Sequence, residues 1–113
     1  GRVRHVALQP RPGELRVFFT AIGDAPERVL VAHVPLTGDW TTWRAGEAVE
    51  VIRPETEYEC VHLPDAPSEA GDIDRAARQM RDPFVFEEHG RSFLFYATCG
   101  EQGIAGAALR WEP

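Results

Sequence analysis

Arg81-Asp82-Pro83-Phe84-Val85-Phe86-Glu87-Glu88-His89-Gly90-Arg91-Ser92-Phe93-Leu94-Phe95-Tyr96 is the stretch on which the fold turns. A charged pair leads into an apolar run, His89-Gly90 interrupts it, and a second run dense in Phe and Tyr follows. β-Branched and aromatic residues suit a pleated, half-buried surface, and a short Gly-containing break between two such runs predicts a hairpin of buried strands. The carboxylate of Asp82 stands at its mouth.

The same pattern occurs earlier in the chain. A shift of 77 positions lays Arg4 on Arg81, His5 on Asp82, Leu8 on Val85, Gly13 on Gly90, Phe18 on Phe95, Phe19 on Tyr96 and Gly23 on Gly100, without a gap. Two copies of a strand-turn-strand-loop unit, each continued by a third strand (Val29 to Leu36, and Ile104 to Leu109), predict a repeat architecture.

In the first copy, Val3 to Leu8 reads as a strand that ends at Pro10 and turns through Pro12-Gly13, and Leu15 to Ile22 reads as the next. After the third strand, Leu36 to Trp43 forms a polar turn between tryptophans, and Ala48 to Ile52 reads as a fourth, outer strand. Consecutive strands with short turns make one antiparallel sheet, the unit from which propellers are built. Residues 53–80 break the rhythm. They are acidic and proline-rich (Glu55, Glu57, Glu59, Pro64, Asp65, Pro67), and Ile73, Ala76, Ala77 and Met80 then fall at helical spacing, which predicts a turn or two of helix. The 77-residue offset less these 28 residues leaves about 49 per unit, within the about 40–50 of a propeller blade.

Composition narrows the classes. The chain has 113 residues, one domain's worth, and a net charge of −6, which disfavours a nucleic-acid partner. All 12 basic residues are Arg. The sequence has neither an apolar run long enough for a membrane span nor a charged-then-apolar leader, and its start at Gly1 reads as a processed or excised piece. Cys60 and Cys99 lie far apart without a CxxC or His-rich neighbourhood, so they read as buried free thiols in preference to a disulfide or a metal site. Free thiols and the lack of a leader lean toward a cytoplasmic setting.

Arg81-Asp82-Pro83 before an apolar strand, the Gly turn, Phe93-Leu94-Phe95-Tyr96 and Gly100 to Ile104 resemble a blade of the five-bladed propeller glycoside hydrolases. These are the arabinanase/xylosidase type, glycoside hydrolase family 43, and the invertase type. The loop from Leu36 to Trp43 is similar to the one after the third strand of their blades. The resemblance implies an all-β fold of antiparallel propeller blades, about two of five: residues 1–52 the first blade, 53–80 an inter-blade insertion, 81–113 a second, incomplete blade. It implies that Asp82 holds sugar hydroxyls and stabilises the transition state. It also implies that Glu59, in Tyr58-Glu59-Cys60, is the general acid, although here the Glu-Cys pair precedes Arg-Asp-Pro where the invertase type has it following. Arg81, Arg4 and His5 become substrate-binding candidates, and His5 stands where repeat symmetry calls for an aspartate.

Glycosidic cleavage needs one carboxyl to protonate the leaving oxygen and a second to act as base or nucleophile. Asp82 and Glu59 supply a transition-state carboxylate and an acid, but no base, so this stretch of chain by itself is expected to be inactive. The expected partner is an oligo- or polysaccharide, with no nucleic acid and no membrane. No cofactor or metal site is expected, and a channel-bound ion is left open. The alternative is a non-catalytic sugar-binding or protein-interaction propeller. Two blades would leave two apolar faces bare, to be covered by further blades of a longer chain or by other copies.

Overall fold

The computed structural model of the chain describes residues 2–111. Two antiparallel sheets make up the fold. The first is a four-stranded meander of β1 (Arg2–Arg11), β2 (Glu14–Ile22), β3 (Val29–Pro35) and β4 (Val49–Ile52); the second is a three-stranded meander of β5 (Arg81–Glu88), β6 (Arg91–Thr98) and β7 (Gly103–Leu109). The expected repeat is present in the backbone. The described residues form two open sheets, however, and close into neither a barrel nor a propeller.

The first hairpin of each sheet is closed by two residues, but with different chemistry. Arg11 pairs with Glu14 around Pro12-Gly13, where proline fixes the first turn residue and Gly13 takes φ +74°, a type II combination. Glu88 pairs with Arg91 around His89-Gly90, where both φ are positive (52° and 74°), as a type I′ turn requires. Near its start each first strand carries a bulge at the same repeat position. His5 and Val6 oppose the single residue Phe19, and Asp82 and Pro83 oppose Tyr96. The residue after the arginine is left-handed in both, with φ 57° at His5 and 52° at Asp82. Proline, which has no N–H to give to a ladder, is tolerated at such a bulge.

The sheets pack through β1 and β2 against β5. The shared core is Phe18, Val29 and Val31 from the first sheet, Leu94 and Tyr96 from the second, and Met80 from the connection between them. Trp111 closes one end, edge-on to Phe18 at 6.1 Å and under the Arg16 guanidinium at 3.8 Å. Gln9 donates to Ser92 Oγ at 3.1 Å and Arg11 pairs with Glu87 at 3.0 Å, so polar contacts also cross the seam.

The connection, residues 53–80, departs from two expectations. Residues 72–80 run as irregular backbone rather than helix, because their hydrogen bonds go outward: Ala77 N–H donates to Cys99 O (3.3 Å) and Met80 N–H to Glu27 O (2.9 Å). One turn of 3-10 helix (Glu57–Glu59) lies earlier instead. Cys60 and Cys99 are not free thiols. They form a disulfide across a sequence separation of 39, tying the connection to the loop after β6, and the thiol argument for a cytoplasmic setting goes with them. Spacing alone could not reveal this, because the connection doubles back to bring Cys60 beside the second sheet. Ser68 pins the same connection to the loop after β2, through Ser68 N–H to Asp24 O and Gly23 N–H to Ser68 Oγ, both 3.1 Å.

Candidate functional site

The two bulges place their left-handed residues face to face. His5 Nε2 lies 3.4 Å from Asp82 Oδ1, joining equivalent positions of the two repeats across the seam. Non-glycine residues in the left-handed region are uncommon, Asp and His being among those that tolerate it, and such strain gathers at functional sites. The Asp82 side chain is 57% exposed while the His5 ring is mostly covered. The other ring nitrogen, Nδ1, is 3.2 Å from the hydroxyl of the buried Thr20. A line of Asp82, His5 and Thr20 therefore runs from solvent into the seam.

Beneath this line lies a carboxylate that the sequence reading did not single out. Glu27 is 0% exposed, yet it sits between the two repeat-equivalent arginines. Arg4 grips it with Nε at 2.9 Å and Nη2 at 2.5 Å, and Arg81 Nε approaches to 3.8 Å. Burial alone would push the Glu27 carboxyl up, but hydrogen bonds from Arg4, Thr20 and Ser68 more than offset it and hold it below the ordinary carboxylate value. The same hydrogen bond to Glu27 raises Arg4. Glu27 comes from the loop 23–28 after β2, which is two residues longer than the loop 99–102 of the second repeat. That inequality is the one signal in the sequence that could have drawn attention to it.

Arg81 is buried and fully engaged. Its guanidinium donates to Gln79 Oε1 (3.1 and 2.9 Å), Gly71 O (2.8 Å) and Glu101 Oε1 (3.0 Å). A cleft of about 400 Å³ between the connection and Arg81, bordered by Pro67, Glu69, Asp72 and Arg75, is lined by neither Asp82 nor His5. Glu59 is not brought to Asp82. Its Oε1 accepts from the backbone N–H groups of Glu55 (3.0 Å) and Thr56 (3.2 Å), and its Oε2 accepts from the Tyr96 hydroxyl, all at a buried position. Burial, followed by the bond to Glu59, raises Tyr96 far above an ordinary phenol. Of the five candidate residues, then, His5, Asp82, Arg4 and Arg81 gather at one end of the seam, and Glu59 lies apart in the connection. Among the described residues, no group of three or more His, Cys, Asp and Glu side chains is placed to hold a metal ion, and no helix is long and apolar enough to cross a membrane.

Fold and site together define a class: a small all-β unit of two stacked antiparallel meanders with a polar, ion-paired seam. The chain is 47% identical over 115 residues to an uncharacterized protein of Acanthamoeba polyphaga mimivirus, a match covering 99% of this chain and 32% of that relative. It thus spans about a third of the relative's length. No family model matches the chain, and no solved structure matches it. These findings correct the resemblance to five-bladed propeller glycoside hydrolases. The relative found is an uncharacterized viral protein, the sheets remain open, and Arg81-Asp82-Pro83 is a bulge whose arginine is spent on internal bonds.

Proposed function

We propose that the chain is a non-catalytic recognition unit for a hydroxyl-rich, carbohydrate-type ligand, with Asp82 and His5 as the groups that meet it. The observation that carries this reading is the convergence of two left-handed bulge residues at 3.4 Å, one of them an open carboxylate. An ionised carboxylate accepts on both oxygens, and neighbouring hydroxyls of a sugar can donate to both at once. The left-handed backbone sets the direction in which the Asp82 side chain leaves the strand, and His5 flanks its carboxylate at 3.4 Å, so part of the ordering cost of binding is met beforehand.

A recognition role is favoured over hydrolysis because, among Asp82, Glu27 and Glu59, Asp82 alone faces solvent. Glu27 is saturated by Arg4 and Glu59 by Tyr96 and two backbone N–H groups, so the acid and base pair that glycosidic cleavage needs is not assembled. The test is titration of the protein with a panel of neutral mono- and oligosaccharides, followed by NMR at the His5 and Asp82 resonances. A saturable shift that weakens at least tenfold in Asp82→Asn, which tolerates the same left-handed backbone, is the expected result. No saturable shift across the panel, or equal binding by Asp82→Asn, sinks the reading.

A further inference from the structure

The two sheets pack head to tail, and the register shows which faces meet. In the first sheet the buried face carries Ala7, Phe18, Val29 and Val31. In the second it carries Val85, Leu94, Tyr96, Ala105 and Ala107. These are not equivalent faces. The 77-position shift carries Ala7 to Phe84 and Phe18 to Phe95, and the pairs Phe18 with Val31 and Phe95 with Gly106 align Val29 with Ile104. Equivalents of the first sheet's buried face are therefore Phe84, Phe95, Gly106 and Ile104, on the outer side of the second sheet.

That outer side is bare. Phe84 is 59% exposed and Ile104 83%, with Phe86 and Phe95 also open. Phe84 pairs with Phe95 and Phe95 with Gly106, so the patch is continuous across three strands. Gly106 leaves room for the Phe95 ring, which lies 2.9 Å from where a Cβ would stand. Conversely, the second sheet's buried Val85, Leu94 and Tyr96 correspond to Leu8, Val17 and Phe19 of the first sheet, where Leu8 is 54% exposed and the other two half-buried. Leu30 and Ala32, paired with Phe19 and Val17 on the same face, are buried, so this face opens chiefly along β1, around Leu8.

We infer that the Phe84/Phe95/Ile104 face binds the Leu8/Val17/Phe19 face of a second copy of this chain, repeating between molecules the packing that joins the two sheets within one. The occupant is argued from the repeat itself: each of these two faces, the open aromatic one and the partly open one around Leu8, is the counterpart of a face already buried against the other kind. Contact of this type is heterologous, two unlike patches meeting head to tail. Exposed apolar faces of this extent mark interaction surfaces.

The test is the solution mass of the disulfide-intact protein by light scattering and sedimentation up to millimolar concentration. Concentration-dependent association is expected. Phe84→Arg and Leu8→Arg, both at exposed positions, should each weaken it at least tenfold, with thermal melts confirming that both variants fold. The decisive arm is the mixture. Phe84→Arg retains an intact Leu8 face and Leu8→Arg an intact Phe84 face, so together they should form a dimer that neither forms alone. A wild-type protein that stays monomeric overturns the inference. So does Leu8→Arg associating like wild type, because the aromatic face would then be pairing with itself.

Discussion

Glu27→Gln is the perturbation that tests the seam most directly. The substitution keeps the shape of the side chain but removes its charge, and one amide position then points N–H groups at a guanidinium that also offers only N–H groups. Two hydrogen bonds between a cation and an anion, at 2.9 and 2.5 Å, reduce to one from the cation to a neutral amide oxygen, and Arg81 loses one of its two carboxylate neighbours, at 3.8 Å. Breaking a buried pair by removing one partner costs about 3–5 kcal/mol. Arg4 keeps some access to water, 12% of its side chain, so the lower end applies, about 3 kcal/mol. Against a total stability of about 5–15 kcal/mol for a domain of this size, that is a large loss. Urea unfolding followed by tryptophan fluorescence at pH 7 reads it. The sign with pH follows from Glu27 being held below its ordinary value. Its contribution is fully present above the unfolded carboxylate range, near pH 4.3, and is lost as pH falls through the lower folded value. The gap between wild type and Glu27→Gln should hold steady from neutral pH to about pH 5 and close below it. Adding Arg4→Met removes the stranded cation and should recover at least half the loss. A cost under about 1 kcal/mol for Glu27→Gln, or a double variant whose loss is the sum of both singles, would refute the reasoning.

Three further outcomes follow from the connection and the core. Replacing Cys60 and Cys99 together by Ala reopens a loop of 39 residues and should lower stability by about 4 kcal/mol in the chain-entropy treatment, read from urea midpoints, with wild type under reductant falling to the same value. Tyr96→Phe takes one donor from the buried Glu59 carboxylate while leaving its two backbone N–H groups, and should cost about 1.5–3 kcal/mol. In wild type, alkaline titration followed by ultraviolet absorbance should show Tyr96 resisting ionisation until the protein unfolds, because burial and Glu59 both raise it; its ionisation in the folded state would count against the bond.

The strands were legible because their signals are local. Alternating or aromatic runs between Gly-containing turns mark all seven, and the 77-position shift exposes the repeat without any structure. The meeting of His5 and Asp82 was half legible: their equivalence could be read, but their contact depends on two bulges and on how the sheets stack, which no local pattern encodes. Residues 72–80 misled because Ile73, Ala76, Ala77 and Met80 have helical spacing for a different reason. Met80 turns into the core between the sheets, while the backbone of Ala77 bonds to the neighbouring loop. Cys60 and Cys99 misled because a loop that folds back brings together residues whose separation says nothing of distance. Glu59 reads as an acid because Glu59-Cys60 resembles the Glu-Cys pair of the invertase type, whereas its buried carboxylate ties together the 3-10 turn and the second sheet.

Repeat symmetry had called for an aspartate at position 5, and the structure explains why a histidine serves better. With Asp82 opposite at 3.4 Å, a second carboxylate would place two like charges in contact, Glu27 being close beneath them as a third, 4.0 Å from the ring. Two unit charges about 4 Å apart cost about 4 kcal/mol at an effective dielectric near 20 and about 1 kcal/mol in water. The Asp82 side chain is more than half exposed, so His5→Asp should cost nearer the lower figure, about 1–2 kcal/mol. That penalty requires both carboxylates to be ionised. It should therefore be present at pH 7 and fade in acid, where the carboxyl introduced at position 5 becomes neutral, whereas a simple loss of packing would cost the same at both pH values. His5→Asn, uncharged and tolerant of the left-handed backbone, separates the two causes. If it destabilises as much as His5→Asp at pH 7, the histidine is there for its packing and its bond to Thr20. A cost confined to His5→Asp means that divergence at this one position allows two copies of the same bulge to face each other across the seam.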